Sequence, residues 1–477
     1  MSLVRWIDVP QRSAGMLETV IGSQRQSRLV GVADQFRERL GDRMIWTVSS
    51  TSVGGGVAEM LHVLLGYAQD LRVPIRWGVI TGDAEFFAVT KRLHNQIHGD
   101  PVGGALSAAE ADHYATVLAG NAVELLDHVR PGDLVLLHDP QTAGLAPALA
   151  SAGALVAWRC HIGVDWENEA TADAWTFLRP YLTAARMYVF SRREYVPGWI
   201  PDRSVAIIPP SIDPFAPKNE PLDDAAVGAI LRQIGVLARR GAPGAELGPG
   251  PAFVRGDGSP GLVTGTAEIT SESLPGPADP VVMQVSRWDR LKDMPGVMHG
   301  FAGYAAAGGA GYLMLVGPAV AGVSDDPEGA AVFAECLLQW RELPDAVRRR
   351  ILLVTLPLDD PDQNAVMVNA LQRHATVIAQ KSLAEGFGLT VAEGMWKGRP
   401  VIGSAVGGII DQIADGTGIL LPDPHDLGTF AAAVRRLLEN PAEAAVMGKA
   451  AHAYVGEHYV GDLHLLRYAE LFDALMR

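Results

Sequence analysis

The chain has 477 residues, 48% of them hydrophobic, which is too long for a single core and predicts two domains of ordinary size. Its 54 acidic residues outnumber its 39 basic residues, and the resulting formal charge of −15 argues against a general nucleic-acid or membrane-surface binder. The two cysteines, Cys160 and Cys336, each lie in an apolar segment, so the sequence predicts neither a disulfide framework nor a metal site.

The N-terminal region gives an expectation about location. The first thirty residues mix charged and apolar positions without a continuous hydrophobic run, and no stretch of about twenty apolar residues occurs anywhere. We therefore expect a cytoplasmic protein with no signal peptide and no membrane partner.

Short runs rich in Val, Ile and Leu alternate with helical patterns along the chain, which is typical of buried parallel strands. This alternation predicts an α/β fold with two doubly wound, Rossmann-like domains. The predicted strands are 44–49, 75–80, 134–138, 155–160, 187–191 and 205–208 in the first half, and 281–286, 312–316, 351–356, 375–380, 400–403 and 418–421 in the second.

The domain boundary is predicted at a proline cluster, residues 209–214, which ends the last strand of the first half and stiffens the chain as a hinge. The N-terminal domain is then 1–213 and the C-terminal domain 214–458. Residues 241–280 are rich in Gly and Pro without a sustained period, and we interpret them as an irregular excursion. An apolar last helix, about 459–477, is expected to pack back on the N-terminal domain, although packing between the subunits of a homodimer stays open.

Residues 382–393 carry the most informative pattern. A strand leads in, Gly386 and Gly388 allow a sharp turn, and Thr390 with Glu393 predicts a capping box that opens a helix. A helix N-terminus favours phosphate, and Glu385 on the loop is suited to sugar hydroxyls. The pattern predicts a nucleotide-sugar site, whereas the alternative is an ordinary capped helix with a surface glutamate.

Two further loops follow predicted strands. The glycine triplet 54–56 opens a helix and leaves room for a phosphate or sugar, but a tight turn without a ligand explains it equally well. Residues 286–293 place Arg287 and Lys292 at the carboxyl end of a strand, where ligands of open α/β sheets bind. Each cation would attract a diphosphate about 4 Å away by about 4 kcal/mol at an effective dielectric constant of about 20. A solvated charged loop is the alternative.

Polar side chains also end two strands of the first half. His161 follows one strand and is suited to donate a hydrogen bond to a sugar hydroxyl, although a structural histidine at a strand end is the alternative. Asp139 and Gln141 follow another strand and offer a carboxylate and an amide, unless Asp139 merely starts a turn.

Taken together, the Glu385-to-Glu393 spacing, the segment 286–293, the N-terminal glycine loop and His161 resemble the retaining GT-B glycosyltransferases of family 4. Nearly the whole chain takes part in the resemblance. Within that family, residues 54–62, 77–91, 138–141 and 396–403 are similar to the trehalose glycosyltransferring synthases.

The resemblance implies a GT-B fold and a role for each matching residue. It implies that Arg287 and Lys292 hold the donor diphosphate. Its catalytic set is Arg287, Lys292, Glu385 and His161, with Glu385 on the donor glucose and His161 near the reacting face of that sugar. Its donor-binding set is Gly55, Gly56, Gly386, Phe387, Gly388, Leu389 and Glu393, with Glu393 on the ribose. Its acceptor-binding set is Asp139, Gln141 and, less directly, Glu59.

The implied reaction is retaining transfer of glucose from a nucleoside-diphosphate-glucose to glucose, with no cofactor and no metal. The sequence does not choose among ADP-, UDP- and GDP-glucose. Three rivals stay open: a trehalose phosphorylase, a related transferase acting on another sugar or a cyclitol, and a non-catalytic nucleotide-sugar sensor.

Overall fold

The computed structural model describes residues 2–53, 56–101, 103–237, 250–320 and 327–477. Contacts divide the chain into two compact units. Unit 1 comprises Met1–Ser211 and Tyr459–Arg477, and unit 2 comprises Ile212–His458. The chain therefore passes into unit 2 after Ser211, two residues before the predicted boundary, and returns to unit 1 after His458.

Sixteen strands lie in the described residues. Unit 1 holds β1 Val4–Ile7, β2 Ile45–Ser49, β3 Ile75–Ile80, β4 Leu134–His138, β5 Leu155–Arg159, β6 Met187–Phe190 and β7 Val205–Ile207. Unit 2 holds β8 Ala252–Val254, β9 Pro260–Leu262, β10 Glu268–Thr270, β11 Val281–Val285, β12 Tyr312–Pro318, β13 Ile351–Leu356, β14 Val377–Gln380, β15 Val401–Ser404 and β16 Gly418–Leu421.

The helices cover the sheets and connect their strands. They are α1 Glu18–Leu40, α2 Gly56–Asp70, α3 Ala84–Ile97, α4 Ala108–Leu126, α5 Asp139–Ala143, α6 Ala146–Ser151, α7 Glu169–Leu182, α8 Asp224–Gln233, α9 Met294–Ala306, α10 Pro327–Glu342, α11 Asp345–Arg348, α12 Pro361–His374, α13 Leu389–Trp396, α14 Ile409–Gln412, α15 Leu427–Glu439, α16 Pro441–His458 and α17 Gly461–Leu475. Within the ranges described, none of them is long and apolar enough to cross a membrane.

Each unit contains one seven-stranded sheet. The order is β1-β3-β2-β4-β5-β6-β7 in unit 1 and β10-β13-β12-β11-β14-β15-β16 in unit 2. As far as the structure describes these two sheets, only their edge strands β1 and β10 run antiparallel to a neighbour. The parallel strands β2, β4 and β13 are buried at every position, which explains their continuous apolar runs. The prediction of two Rossmann-like α/β sheets is confirmed, and all twelve predicted strands are present to within two residues at either end.

Within residues 241–280, predicted to be an irregular excursion, the described part contains three short strands. Residues 250–280 contain β8 and β9, which form a two-stranded sheet, and β10, which joins the edge of the main sheet. Each of these strands has three residues, and in β8 only Phe253 is buried. Such strands are too short to produce a detectable alternation of apolar and polar positions.

Strand order reverses at one place in each sheet. In unit 2 the chain goes from β11 to β12 on one side and later returns to β14 on the other, and in unit 1 β2 lies between β3 and β4 in the same way. Ligands of open α/β sheets bind outside the carboxyl ends of the strands at such switch points. The predicted site loops follow β11 and β14 in unit 2, and β2, β4 and β5 in unit 1.

The last helix, α17, packs within unit 1. Tyr468, Leu471, Phe472 and Leu475 are buried in a cluster with residues of α1 and the sheet, and Arg25 of α1 forms an ion pair of 2.7 Å with Asp462. Because this packing covers the apolar face of the helix, the face gives no support to a homodimer, which stays a prediction.

Candidate active site

An ion pair links the two loops at the switch point of unit 2. Lys292, at the end of a short 3-10 turn after β11, donates to Glu385 Oε2 at 2.6 Å, and the two side chains are only 16% and 10% exposed. The Ser382 hydroxyl donates to the same oxygen at 3.2 Å. The structure thus brings together two predicted residues that are 93 positions apart in sequence.

A second buried pair supports the first and was not predicted. Lys381 directly follows β14, is fully buried, and donates to Asp293, which also caps α9 by accepting the Gly296 N–H at 3.1 Å. Gln284 of β11 accepts the Lys381 backbone N–H at 3.1 Å and donates to the Lys292 carbonyl at 2.6 Å. The available signal was a polar residue inside one apolar strand pattern, Gln284, and a lysine directly after another, Lys381.

Arg287 has a different environment. Its side chain is 63% exposed and pairs with Asp289 at 3.0 Å, as the surface-loop alternative describes. The structure shows no contact of Arg287 with Lys292 or Glu385. A role on the donor diphosphate therefore stays a prediction for this residue.

The loop between Glu385 and α13 depends on Gly388. Its φ of +81° lies in the left-handed region, and an added Cβ would come within 3.0 Å of Glu385 Cγ. Glycine is required there by conformation and by space. Gly386 accepts the Gly408 N–H at 3.2 Å and the Phe387 side chain is buried, so the loop is held against the rest of unit 2.

The predicted capping box is wrong. Gly388 is the N-cap of α13 and no side chain caps the helix, because the left-handed turn starts the helix at Leu389 and leaves Thr390 inside its first turn. The Thr390 hydroxyl donates instead to Gln380 Oε1 at 2.8 Å. Among the described residues, the backbone N–H groups of Leu389 and Thr390 have no acceptor, so the helix keeps two donors for an anion.

Glu393 lies on the buried side of α13 and is 5% exposed. Lys218 approaches its carboxylate to 3.4 Å. Below it, Lys397 donates to the Glu393 carbonyl at 3.2 Å and to Asn219 Oδ1 at 3.1 Å. Burial lowers the pKa of Lys397 from its ordinary value of 10.5 to about 7. Two lysines therefore contact Glu393, Lys218 at its carboxylate and Lys397 at its backbone carbonyl.

At the edge of unit 1, the structure brings Asp139 and His161 together. Asp139 has a φ of +63°, and its Oδ1 accepts the His161 backbone N–H at 2.7 Å. The Trp158 indole donates to the Asp139 carbonyl at 3.0 Å and helps to hold this strained conformation. Burial raises the pKa of the Asp139 carboxyl to about 7.

The His161 ring belongs to a chain of polar groups. Its Nε2 lies 2.9 Å from His138 Nδ1, with the two rings stacked, and His138 Nε2 lies 2.8 Å from the Thr47 hydroxyl. Arg159 Nε donates to His161 Nδ1 at 3.2 Å. Burial lowers the pKa of His138 to about 3 and that of His161 well below its ordinary value. Both imidazoles are thus neutral.

The other predicted residues of unit 1 differ in what the structure describes. The amide oxygen of Gln141 is buried and has no hydrogen-bond partner in the described part of the chain, which fits an acceptor that supplies a hydroxyl donor. Glu59 is exposed in the first turn of α2, and Gly56 begins that helix. Gly55 lies outside the described residues.

Comparison with known proteins identifies the family. Residues 47–197 match the family model for the trehalose synthase N-terminal domain, and residues 362–454 match glycosyl transferases group 1. The trehalose synthase of Pyrococcus horikoshii is 32% identical over 96% of this chain and 95% of its own. A trehalose phosphorylase of Pleurotus pulmonarius is 24% identical over 92% of this chain and 57% of its own.

Solved structures agree on the fold. The UDP-forming α,α-trehalose-phosphate synthase of Burkholderia xenovorans, determined with glucose-6-phosphate, is 15% identical and has a TM-score of 0.65, covering 91% of this chain and all of that one. At this identity the similarity concerns the GT-B fold alone. Identity of about one third along almost the full length of both chains carries the assignment to a family: this chain is a glycosyltransferase of the trehalose synthase family.

Proposed function

We propose that the chain is a retaining glucosyltransferase that makes trehalose, reversibly, from a nucleoside-diphosphate-glucose and glucose. The observation that carries the proposal is the Lys292–Glu385 pair at 2.6 Å beside the uncapped N-terminus of α13, in a chain similar to trehalose synthases along 96% of its length. The pair combines a cation for a diphosphate with a carboxylate for sugar hydroxyls.

In the proposed reaction the bond from the glucose C1 to the diphosphate oxygen breaks, and a bond from C1 to the acceptor oxygen forms on the same face. The acceptor hydroxyl proton passes to the departing phosphate oxygen, so no covalent glycosyl-enzyme is needed. Lys292, Arg287 and the N–H groups of Leu389 and Thr390 stabilise the charge that builds on the diphosphate.

The remaining roles follow from what each group can bind. Glu385 and the backbone of 386–388 hold the donor glucose, and Glu393 accepts hydrogen bonds from the ribose. Asp139 and Gln141 orient the acceptor, with Glu59 as a further contact. His161 lies at the donor sugar, and Gly55 and Gly56 allow its close approach.

The proposal includes a cytoplasmic location and no requirement for a cofactor or metal. The donor base stays open among ADP, UDP and GDP. A homodimer is tested by the native mass in solution. The proposed transfer reaction does not depend on the location, the donor base or the oligomeric state.

The decisive experiment is product analysis with each nucleoside-diphosphate-glucose and glucose as acceptor. We expect trehalose and the free nucleoside diphosphate in equal amounts with at least one donor, and the reverse reaction from trehalose plus that diphosphate. A parallel incubation uses trehalose and inorganic phosphate. Glucose-1-phosphate from this second mixture alone would refute the synthase and support the phosphorylase.

Two further results separate the other rivals. Transfer to a different sugar or a cyclitol, but not to glucose, would assign another acceptor to the same site. Donor binding without turnover for any acceptor would indicate a sensor. An exposed cation of the same loop, Arg290, supplies a control: Arg290→Met should leave turnover unchanged, because its partner is the surface residue Glu335 at 3.3 Å.

A further inference from the structure

A buried arginine at the edge of unit 1 has neutral hydrogen-bond partners. Arg159, the last residue of β5, is fully inaccessible to solvent. Besides His161, it donates to the Tyr468 hydroxyl, to His464 Nε2 at 3.4 Å and to the Ile208 carbonyl at 3.0 Å. Within the described residues none of its hydrogen-bond acceptors is a carboxylate. Burying a guanidinium in this way is costly, which suggests that its charge serves a purpose other than stability.

The direction of the hydrogen bonds fixes the state of the histidines. Arginine has no acceptor, so His161 Nδ1 must carry a lone pair toward Arg159. The neutral His161 ring then bears its proton on Nε2 and donates to His138 Nδ1. His138 in turn bears its proton on Nε2 and donates to the Thr47 hydroxyl. A single cation therefore sets the tautomers of two successive rings.

Helix α17 holds the arginine in place. Tyr468 provides its hydroxyl as acceptor, and its ring lies 5.4 Å from the guanidinium carbon. His464 accepts from Arg159 and is itself held by Ser211, with 2.9 Å between Ser211 Oγ and His464 Nδ1. Ser211 is the last residue of unit 1 before the chain enters unit 2. The network thus links His161 to both chain segments of unit 1, at Ser211 in the first and at α17 in the second.

We propose that Arg159 is a positioning residue for glucosyl transfer, which locks His161 as the neutral Nε2–H tautomer and is itself held by Tyr468 and His464 of α17. The inference rests on the proposed function, in which His161 lies at the donor sugar. A neutral ring matters there because positive charge develops at the glucose C1 in an oxocarbenium-like transition state. A protonated imidazole beside that carbon would oppose the developing charge.

The groups that face His161 determine whether its ring carries a charge. Arg159 on β5, His138 on β4 and His464 on α17 disfavour a charged His161 ring. The Asp139 carboxylate accepts the His161 backbone N–H, and burial raises the pKa of Asp139 to about 7. The Asp139 carboxyl is therefore largely neutral below pH 7 and gives little support to a charged His161 ring.

The test combines two readouts on Arg159→Met. Imidazole ¹⁵N spectra of histidine-labelled protein, with the His161 signal assigned by its loss in His161→Gln, report tautomer and protonation without any need for turnover. The pH profile of kcat reports the effect on transfer. In the wild-type protein we expect neutral Nε2–H His161 from pH 5.5 to 8 and no acid limb from this residue.

In Arg159→Met we expect mixed tautomers and a His161 pKa above the wild-type value, because one of the charges that lower it is gone while burial remains. We also expect kcat to fall from pH 8 to pH 5.5 relative to wild type. Arg159→Lys should restore the Nε2–H tautomer, because lysine is also only a donor. A folded Arg159→Met protein with an unchanged His161 spectrum and pH profile would overturn the proposal. If glucosyl transfer itself is absent, the spectra still decide the tautomer.

Tyr468→Phe provides a milder variant if Arg159→Met does not fold. It removes one acceptor of Arg159 and keeps the aromatic ring, so we expect the same changes with an acid-limb loss of about threefold. Tyr188→Phe is the matched control, because its hydroxyl donates to the Leu182 carbonyl at 2.7 Å in the same unit. Equal spectra and profiles for the two variants would reduce Arg159 to a structural anchor and overturn the proposal.

Discussion

The buried cations at the two switch points have opposite kinds of hydrogen-bond partner, charged in unit 2 and neutral in unit 1. At the unit 2 edge the two lysines that follow β11 and β14 each have a carboxylate partner, Lys292 with Glu385 and Lys381 with Asp293. At the unit 1 edge Arg159 donates to neutral groups, and burial raises the pKa of the neighbouring Asp139 to about 7. A paired cation can exchange its partner for a diphosphate, whereas an arginine surrounded by neutral acceptors orients them. The first edge is suited to hold an anion and the second to hold neutral sugars.

Removal of the exchangeable cation should have the largest effect. We expect Lys292→Met to lower kcat/KM for the donor by about 10²- to 10³-fold, because one charge contact with a diphosphate is worth about 4 kcal/mol at most and each 1.4 kcal/mol is tenfold. Steady-state kinetics and nucleoside-diphosphate titration measure it. Arg290→Met is the control, and donor kinetics that match this control would contradict the assignment of Lys292.

A second prediction concerns Lys397, a buried cation that can lose its charge, unlike a buried arginine. Arginine stays charged at every accessible pH, but burial lowers the pKa of Lys397 to about 7. Between pH 7 and 10.5 the unfolded chain therefore binds more protons than the folded one, and the free energy of unfolding rises with pH. We expect the advantage of wild type over Lys397→Met to grow by about 2 kcal/mol from pH 7 to 9.

Urea unfolding at pH 7, 8 and 9 measures this advantage. Lys449→Met, on the exposed side of α16, is the control and should show no pH-dependent difference from wild type. A constant difference between wild type and Lys397→Met across the range would mean that Lys397 stays protonated in the folded protein.

Two glycines of unit 2 distinguish the effect of backbone strain from that of steric crowding. Gly388 and Gly416 have the same φ of +81°, but only at Gly388 would a Cβ meet another residue, Glu385. Alanine at either position should cost about 1 kcal/mol of stability or somewhat more. We expect Gly388→Ala alone to weaken donor binding, by about tenfold, in titrations with nucleoside diphosphate and in donor KM. Equal donor binding by the two variants would show that the loop does not shape the site.

The central strands were predictable because residues buried on both faces leave continuous apolar runs. The edge strands β1 and β10 were not, because antiparallel strands of three or four residues leave too little pattern. The capping box failed for a local reason, since a positive φ at Gly388 changed where α13 begins. Sequence offers no sign of that angle except the glycine itself.

The places of the candidate site residues were predictable as far as they follow strands, because the carboxyl ends of neighbouring parallel strands meet at one edge. The hydrogen-bond partners of these residues could not be predicted. Lys292 and Glu385 are 93 residues apart, and the Arg159 network draws Tyr468 from 309 residues away. Arg159 was visible as a lone charge inside the apolar run 155–160, and such a residue could have been singled out as buried and therefore constrained.

The smallest expected effect concerns Gln141 at the neutral edge of unit 1. Its amide oxygen is buried without a partner in the described residues, which costs about 1 kcal/mol or more in the free protein. Gln141→Leu should therefore leave stability equal or slightly raised, yet increase the KM for the acceptor about fivefold with the donor KM unchanged. Gln26→Leu in α1 is a matched control, because its amide oxygen is likewise buried without a described partner. The same melting-temperature shift in both variants, with a changed acceptor KM only in Gln141→Leu, would separate an acceptor contact from a packing defect. An unchanged acceptor KM would remove Gln141 from the acceptor site and leave Asp139 as the main polar contact proposed there.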